Sequence, residues 1–223
     1  MDESRRSNLT SRSALSIANA GYPFIFGAAF VTVILALLDF TTLTLIGLVI
    51  TFAFGGFFRD PERIIPDVPG AVVSPADGKV ISTGIVDKSD FYAGESLKIS
   101  IFMSVFNVHV NRIPYNGQVK DTLYRPGKFF SANLQKASLQ NEHNAVFVEL
   151  EDEKQLCVVQ VAGLIARRII CHVRSGDQVL RGQRFGLICF GSRLDVYLPP
   201  DFKLNVAVGE SVKAGTSILG QIH

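Results

Sequence analysis

Near the C-terminus of this 223-residue chain, Gly191-Ser192 lies in the run Phe190-Gly191-Ser192-Arg193-Leu194-Asp195. A serine that follows an unhindered glycine can attack its own peptide bond, because the missing Cβ exposes the glycine carbonyl and tolerates strained backbone. The attack cuts the chain and leaves a new catalytic group on residue 192. Gly-Ser is also an ordinary turn dipeptide. The two readings are separated only by what else the chain supplies.

Self-cleavage requires a base for the serine proton, and the residues by themselves do not select one. Asp77 stands in Ser74-Pro75-Ala76-Asp77-Gly78-Lys79, where Asp-Gly after Pro-Ala also makes a common turn. His109 lies between Val108 and Val110, a setting shared by hydrogen-bonded core histidines and by catalytic ones. Arg112, Arg167 and Arg168 cannot serve as bases, since a guanidinium keeps its proton in a protein, but they can bind carboxylate or phosphate. Arg167-Arg168 reads equally well as a strand-edge pair. His143 stands among neighbours that suggest a turn, His172 and His223 have no motif support, and without His-Glu-x-x-His spacing no metal site is expected. Cys157, Cys171 and Cys189 sit in apolar runs without Cys-x-x-Cys spacing, and read as buried reduced thiols in a cytosolic domain. The run around Ser192 does not satisfy Gly-x-Ser-x-Gly, which disfavours a serine hydrolase.

The elements that must position these residues fall into two parts. No charged residue occurs between Arg12 and Asp39, or between Asp39 and Arg59. The two apolar stretches, roughly 23–38 and 41–58, approach the ~20 residues a helix needs to cross a bilayer. They predict a transmembrane hairpin turning at Asp39-Phe40-Thr41-Thr42, within an N-terminal segment 1–58. Arg5, Arg6 and Arg12 precede it and Arg59 and Arg63 follow it, while the turn has no basic residue. That asymmetry places both ends, and hence the catalytic domain, in the cytoplasm. A buried core pair of helices is the rival reading, weakened by the lack of a polar face on either run.

Residues 59–223 change texture to short alternating runs between Gly, Pro, Asp and Asn, such as Leu97-Lys98-Ile99-Ser100-Ile101, which predict a mainly β domain. One pattern occurs twice, 33 residues apart: Val173-x-x-Gly176-Asp177-x-Val179-x-x-Gly182-x-x-Phe185 and Val206-x-x-Gly209-Glu210-x-Val212-x-x-Gly215-x-x-Ile218. Two copies imply a pseudo-symmetric small barrel. The pattern resembles the barrel-sandwich hybrid of lipoyl and biotinyl carrier domains, but Gly191-Ser192 stands between the repeats where a carrier would present its lysine. Between Lys120 and Lys136, the mixture of Tyr124, Arg125, Lys128, Phe129 and Phe130 suits a solvated loop or a membrane headgroup region. A balance of 22 basic against 20 acidic residues gives no field that would favour nucleic acid.

Five stretches in order, Phe57-Phe58-Arg59-Asp60-Pro61-Glu62-Arg63, Ser74 to Lys79, Met103 to Pro114, Asn141-Glu142-His143-Asn144-Ala145-Val146 and Phe190-Gly191-Ser192, resemble phosphatidylserine decarboxylase in its short, membrane-anchored form. The resemblance runs from Phe57 to the C-terminus. It implies a proenzyme that cuts itself between Gly191 and Ser192 into a β chain, 1–191, and an α chain, 192–223. The group left on Ser192 would be a covalent pyruvoyl, the only cofactor, with no external one and no metal. That carbonyl would form a Schiff base with the serine amine of phosphatidylserine, accept the electrons released with carbon dioxide, and yield phosphatidylethanolamine. Asp77 and His109 match the aspartate and first histidine of an Asp-His-Ser arrangement used by long-form members, with Arg112 where the second histidine would be. The implied partners are the lipid and the two chains of one proenzyme, and homo-oligomerisation is left open.

Overall fold

The computed structural model describes residues 16–128, 130, 140–150, 154–163, 168–189 and 191–222. Arg5, Arg6, Arg12, Phe129, Lys136, Arg167, Phe190 and His223, all weighed above, lie outside the described residues. The chain divides into two compact units, Met1–Glu62 and Arg63–His223.

The first unit is helical. Helix α1 (Tyr22–Leu37) opens with Pro23 in its first turn, where the missing N–H removes no helical bond. Helix α2 (Thr41–Phe57) follows a turn in which Asp39 takes the left-handed conformation at φ 57°. At the contact between them, a Cβ on Gly47 would lie 3.2 Å from Thr32 Cβ, so only a small residue lets the backbones approach there. Thr32 Oγ1 returns its own proton to the Ala28 carbonyl at 2.7 Å, so its hydroxyl is satisfied within the helix. Phe26, Phe30, Leu37, Val49 and Phe52 are exposed. The 19 residues Asn19–Leu37 are long and apolar enough to span a bilayer alone, whereas α2, at 17 residues, is shorter.

The second unit is mainly β. The strands that frame the site are β1 (Ala71–Val73), β2 (Gly78–Val86), β3 (Ser96–Met103), β4 (Val110–Arg112), β5 (Gly117–Arg125), β6 (His143–Glu149), β7 (Gln155–Ala162) and β8 (Ile169–Cys171). They are followed by β9 (Gln178–Val179), β10 (Arg184–Ile188), β11 (Ser192–Leu198), β12 (Lys203–Leu204), β13 (Ser211–Val212) and β14 (Ile218–Gln221). An eight-stranded sheet runs β13-β2-β3-β11-β7-β6-β5-β9, with three-stranded sheets β4-β10-β8 and β1-β14-β12 beside it. Register shifts at Val80/Ser82 and Val119/Asp121 mark bulges, which bend and twist their strands and so help the large sheet to curl.

The repeated pattern is visible in this topology. β9 and β13 occupy the two edges of the large sheet, and β10 and β14 are the middle strands of the two small ones. Gly176 and Gly209 have φ of 92° and 96°, and Gly182 and Gly215 have 80° and 73°. These are left-handed turns that other residues adopt only under strain, which is why glycine recurs at both positions. Within the large sheet, Leu97, Ile99, Ile101, Val158, Leu194, Val196 and Leu198 fill one face, and Cys157, Val159, Val161, Tyr197 and Phe91 cover the other. Every residue of β11 is buried.

Candidate active site

Ser192 is the first residue of β11, and its backbone is paired on both sides, with Met103 of β3 and Ala162 of β7. It is fully buried. Its parity places it on the face of Leu194, Val196 and Leu198, as the alternation of a strand requires. Gly191, immediately before it, is left-handed at φ 69° with open space where a Cβ would be. The Gly191 carbonyl accepts a hydrogen bond from Gly163 N–H at 3.0 Å. That bond polarises the carbonyl a serine would attack and lies where charge would develop on its oxygen.

Ser192 Oγ donates to Met103 Sδ at 3.3 Å. Asn111 Nδ2 donates to the same sulfur at 3.8 Å, and Gln160 Nε2 donates to Asn111 Oδ1 at 2.9 Å. Asn144 Nδ2 in turn donates to Gln160 Oε1 at 3.1 Å. Sequence reasoning singled out none of these four partners. Met103, Asn111 and Asn144 lie inside quoted motifs, and Gln160 is the one amide in the apolar run Val158-Val159-Gln160-Val161.

His109, two residues before Asn111, is fully buried. Its Nδ1 is 2.9 Å from the Asn107 carbonyl, which can only accept, so in the neutral ring Nδ1 carries the proton and Nε2 the basic lone pair. Among the described residues, Ser192 Oγ is bonded to Met103 and not to His109.

Asp77 stands further away. Lys79 is paired with Phe102 and Phe102 with Arg193, so β2, β3 and β11 align Gly78, Met103 and Ser192 in the next row. Asp77 precedes that row, in the bend that leads into β2, and Gly78 after it is two strands from Ser192. One of its oxygens takes Arg63 NH2 at 2.8 Å and the other Ala214 N–H at 2.7 Å. Asp77 thereby ties two of the quoted motifs to the turn before Gly215. Arg112 is buried, and its guanidinium donates to the Gly182 carbonyl at 2.9 Å.

Arg168 is exposed, and its carbonyl accepts Cys189 N–H at 3.1 Å, two residues before Gly191. Burial pushes the Cys189 thiol up, and the nearby Arg168 cation partly opposes that shift. The structure thus gathers Ser192, Gly191, Met103 and Asn111 directly, with His109 and Arg168 on adjoining segments, and holds Asp77 and Arg112 in separate contacts.

The opposite face of β11 is charged. Arg193 and Asp195 are buried, with Arg193 Nε 2.9 Å from Asp195 Oδ1 and Lys98 Nζ 3.0 Å from Asp195 Oδ2. They adjoin a cavity of about 370 Å³ lined by Ser82, Phe91, Lys98, Ser100, Arg193 and Tyr197. This cavity is on the far side of the sheet from Ser192. No cluster of potential metal ligands occurs among the described residues.

A family model, phosphatidylserine decarboxylase, matches residues 50–220. A phosphatidylserine decarboxylase proenzyme of Desulfotalea psychrophila is 52% identical over 206 residues, covering 92% of this chain and 96% of its own. Proteins of the same description from Geotalea uraniireducens and Nitrosomonas eutropha are 52% and 46% identical, covering 92% and 93% of this chain and 95% of their own.

Proposed function

The chain belongs to the phosphatidylserine decarboxylase family, and we propose that its self-processing occurs between Gly191 and Ser192 and leaves a pyruvoyl group at residue 192. The protein is a carboxy-lyase made as a proenzyme, and it converts phosphatidylserine into phosphatidylethanolamine and carbon dioxide. The observation that carries the processing site is the left-handed Gly191, its carbonyl held by Gly163 N–H, directly before a serine buried between two strands.

In this reading Ser192 Oγ bonds to the Gly191 carbonyl carbon and its proton passes to His109 Nε2. The Gly191–Ser192 C–N bond breaks, the Ser192 nitrogen takes a proton, and an ester remains. Gly163 N–H stabilises the oxygen that carries charge during the attack. Burial keeps bulk water from hydrolysing the ester before elimination releases the Gly191 carboxylate and leaves dehydroalanine at residue 192, whose imine tautomer then takes up one water and releases ammonia. The pyruvoyl group supplies a carbonyl that binds the substrate amine covalently and withdraws electrons as carbon dioxide departs. The site fits such a group, because its polar neighbours are neutral and its backbone is fixed on both sides. Asp77 holds the β2 end of the site in register through Arg63 and Ala214. Arg168, Arg167 and Arg112 are the cations proposed to meet the lipid's carboxylate and phosphate, and Arg168 is already exposed beside the cleavage segment.

The equivalent sheet positions of β9 and β13, both edge strands, and of β10 and β14, both middle strands, support a barrel-sandwich-hybrid-like architecture. The apolar, exposed helices of the first unit support a membrane hairpin, and the basic residues that flank both ends of the apolar runs in the sequence support a cytoplasmic catalytic domain. Wild-type protein mixed with phosphatidylserine vesicles should release one carbon dioxide for each phosphatidylethanolamine formed, and Ser192→Ala none. Equal turnover by that variant would remove Ser192 from the chemistry. Recovery of the wild-type protein in carbonate-washed supernatant without detergent would refute the anchor.

A further inference from the structure

Gln160 and Asn144 are buried in a face of the large sheet otherwise filled by Val, Leu and Ile, and a third buried amide, Asn111, meets them from β4 of the neighbouring three-stranded sheet. Burying an amide is unfavourable unless its polar atoms are paired. Here they pair with one another, and Gln160 Nε2 also reaches the Ile170 carbonyl at 3.3 Å. Room for that amide is made by Gly186, where a Cβ would lie 2.8 Å from Gln160 Nε2 and would clash with the Ile170 carbonyl. Packing alone does not call for this chain, since apolar residues of similar volume fill a core without unpaired polar atoms. The chain of amides ends at Met103 Sδ, the atom that accepts the Ser192 hydroxyl.

Resting on the reading that Ser192 attacks Gly191, we propose that Gln160 is a positioning residue for self-cleavage: it orients Asn111, Asn111 fixes the Met103 thioether, and the thioether aims the Ser192 hydroxyl. A thioether suits that place because it is a weak acceptor. It gives the hydroxyl a direction while holding its proton loosely, so transfer to the base is not opposed by a strong bond in the resting state. A carboxamide or carboxylate in the same position would retain the proton.

The test is a double-mutant cycle on the first-order rate of fragment appearance, with Gln160→Met, Met103→Leu and the double variant in the full-length chain. Both substitutions keep volume. Each single variant should cleave about tenfold more slowly, and the double variant no more slowly than the slower single, because both break the same chain of contacts. Hydroxylamine, which cuts an ester already formed, should not restore the rate, since ester formation itself is slowed. Wild-type rates in both singles, multiplicative slowing in the double, or full rescue by hydroxylamine would each overturn the proposal. If Gln160→Met fails to fold, wild-type cleavage by Met103→Leu alone overturns it. Absence of fragments from the wild-type chain would instead overturn the underlying cleavage reading.

Discussion

The two faces of β11 carry different kinds of polarity within one strand of seven residues. Ser192 looks onto a thioether and neutral amides, whereas Arg193 and Asp195 form a buried ion cluster with Lys98, against Tyr197. In the proposed cleavage the neutral face would leave the serine proton mobile while burial keeps water out. The charged face, together with the backbone pairing of β11 to β3 and β7, would hold in place a strand whose first residue becomes a chain end under the proposed cut. Under that proposal, chemistry and retention are separated by the alternation of side chains along a single strand.

The largest effect should come from the neutral face. Ser192→Ala leaves no oxygen to form the ester, so denaturing gels should show only the full-length chain, while Ser192→Cys still cleaves because a thiol can make the same acyl shift. Normal fragments from Ser192→Ala would end the account of that face. His109→Ala should slow fragment formation by a factor of about 10²–10⁴, the usual contribution of a positioned base. A wild-type rate would place the base elsewhere, with Asp77 or a bound water next in line.

On the charged face the expected change is in stability and not in cleavage. Asp195→Ala removes the carboxylate that Arg193 and Lys98 share, and loss of one partner of a buried ion pair costs about 3–5 kcal/mol. The loss is best read as a shift in the denaturant midpoint in the Ser192→Ala background, where one uncut chain unfolds. An Asp195→Ala protein that folds normally but no longer cleaves would break the division between the faces.

The smallest effect concerns pH. Burial holds the Cys157 thiol well above its ordinary 9.0 and, with Asp195 nearby adding to it, holds the Tyr197 phenol far above its ordinary 10.0. The folded protein therefore keeps protons that the unfolded chain gives up. Their contribution to stability is intact below about pH 9 and declines as pH rises through the alkaline range. Tyr197→Phe should flatten the fall in melting temperature above pH 10, and an unchanged slope would mean that Tyr197 ionises freely in the fold.

Much of this organisation could be read from local pattern. The glycines of the repeat were legible because a left-handed turn imposes a residue type at a fixed spacing, and Gly176, Gly182, Gly209 and Gly215 all adopt it. For a strand that begins at Ser192, alternation alone puts the serine on the face of Leu194, Val196 and Leu198, where it lies. The amide chain was not legible, because Gln160 reaches Asn111 across 49 residues and Asn144 across 16. Only the order β3-β11-β7-β6 and the neighbouring β4-β10 sheet bring those side chains together. The engagement of Asp77 with Arg63 and Ala214 was hidden for the same reason, since a turn motif does not disclose which distant backbone N–H it will cap.

In the proposed processing the chain cuts itself before Ser192 and keeps the product strand in place. Intact mass of the purified protein under denaturing conditions tests it most directly, with N-terminal sequencing of the fragments. The account predicts one species ending at Gly191 and a second spanning 192–223, the second blocked to Edman degradation and carrying the mass of a pyruvoyl cap, with both co-purifying before denaturation. A single species of full-length mass from active protein, or a fragment beginning with a free serine amine at residue 192, would contradict it.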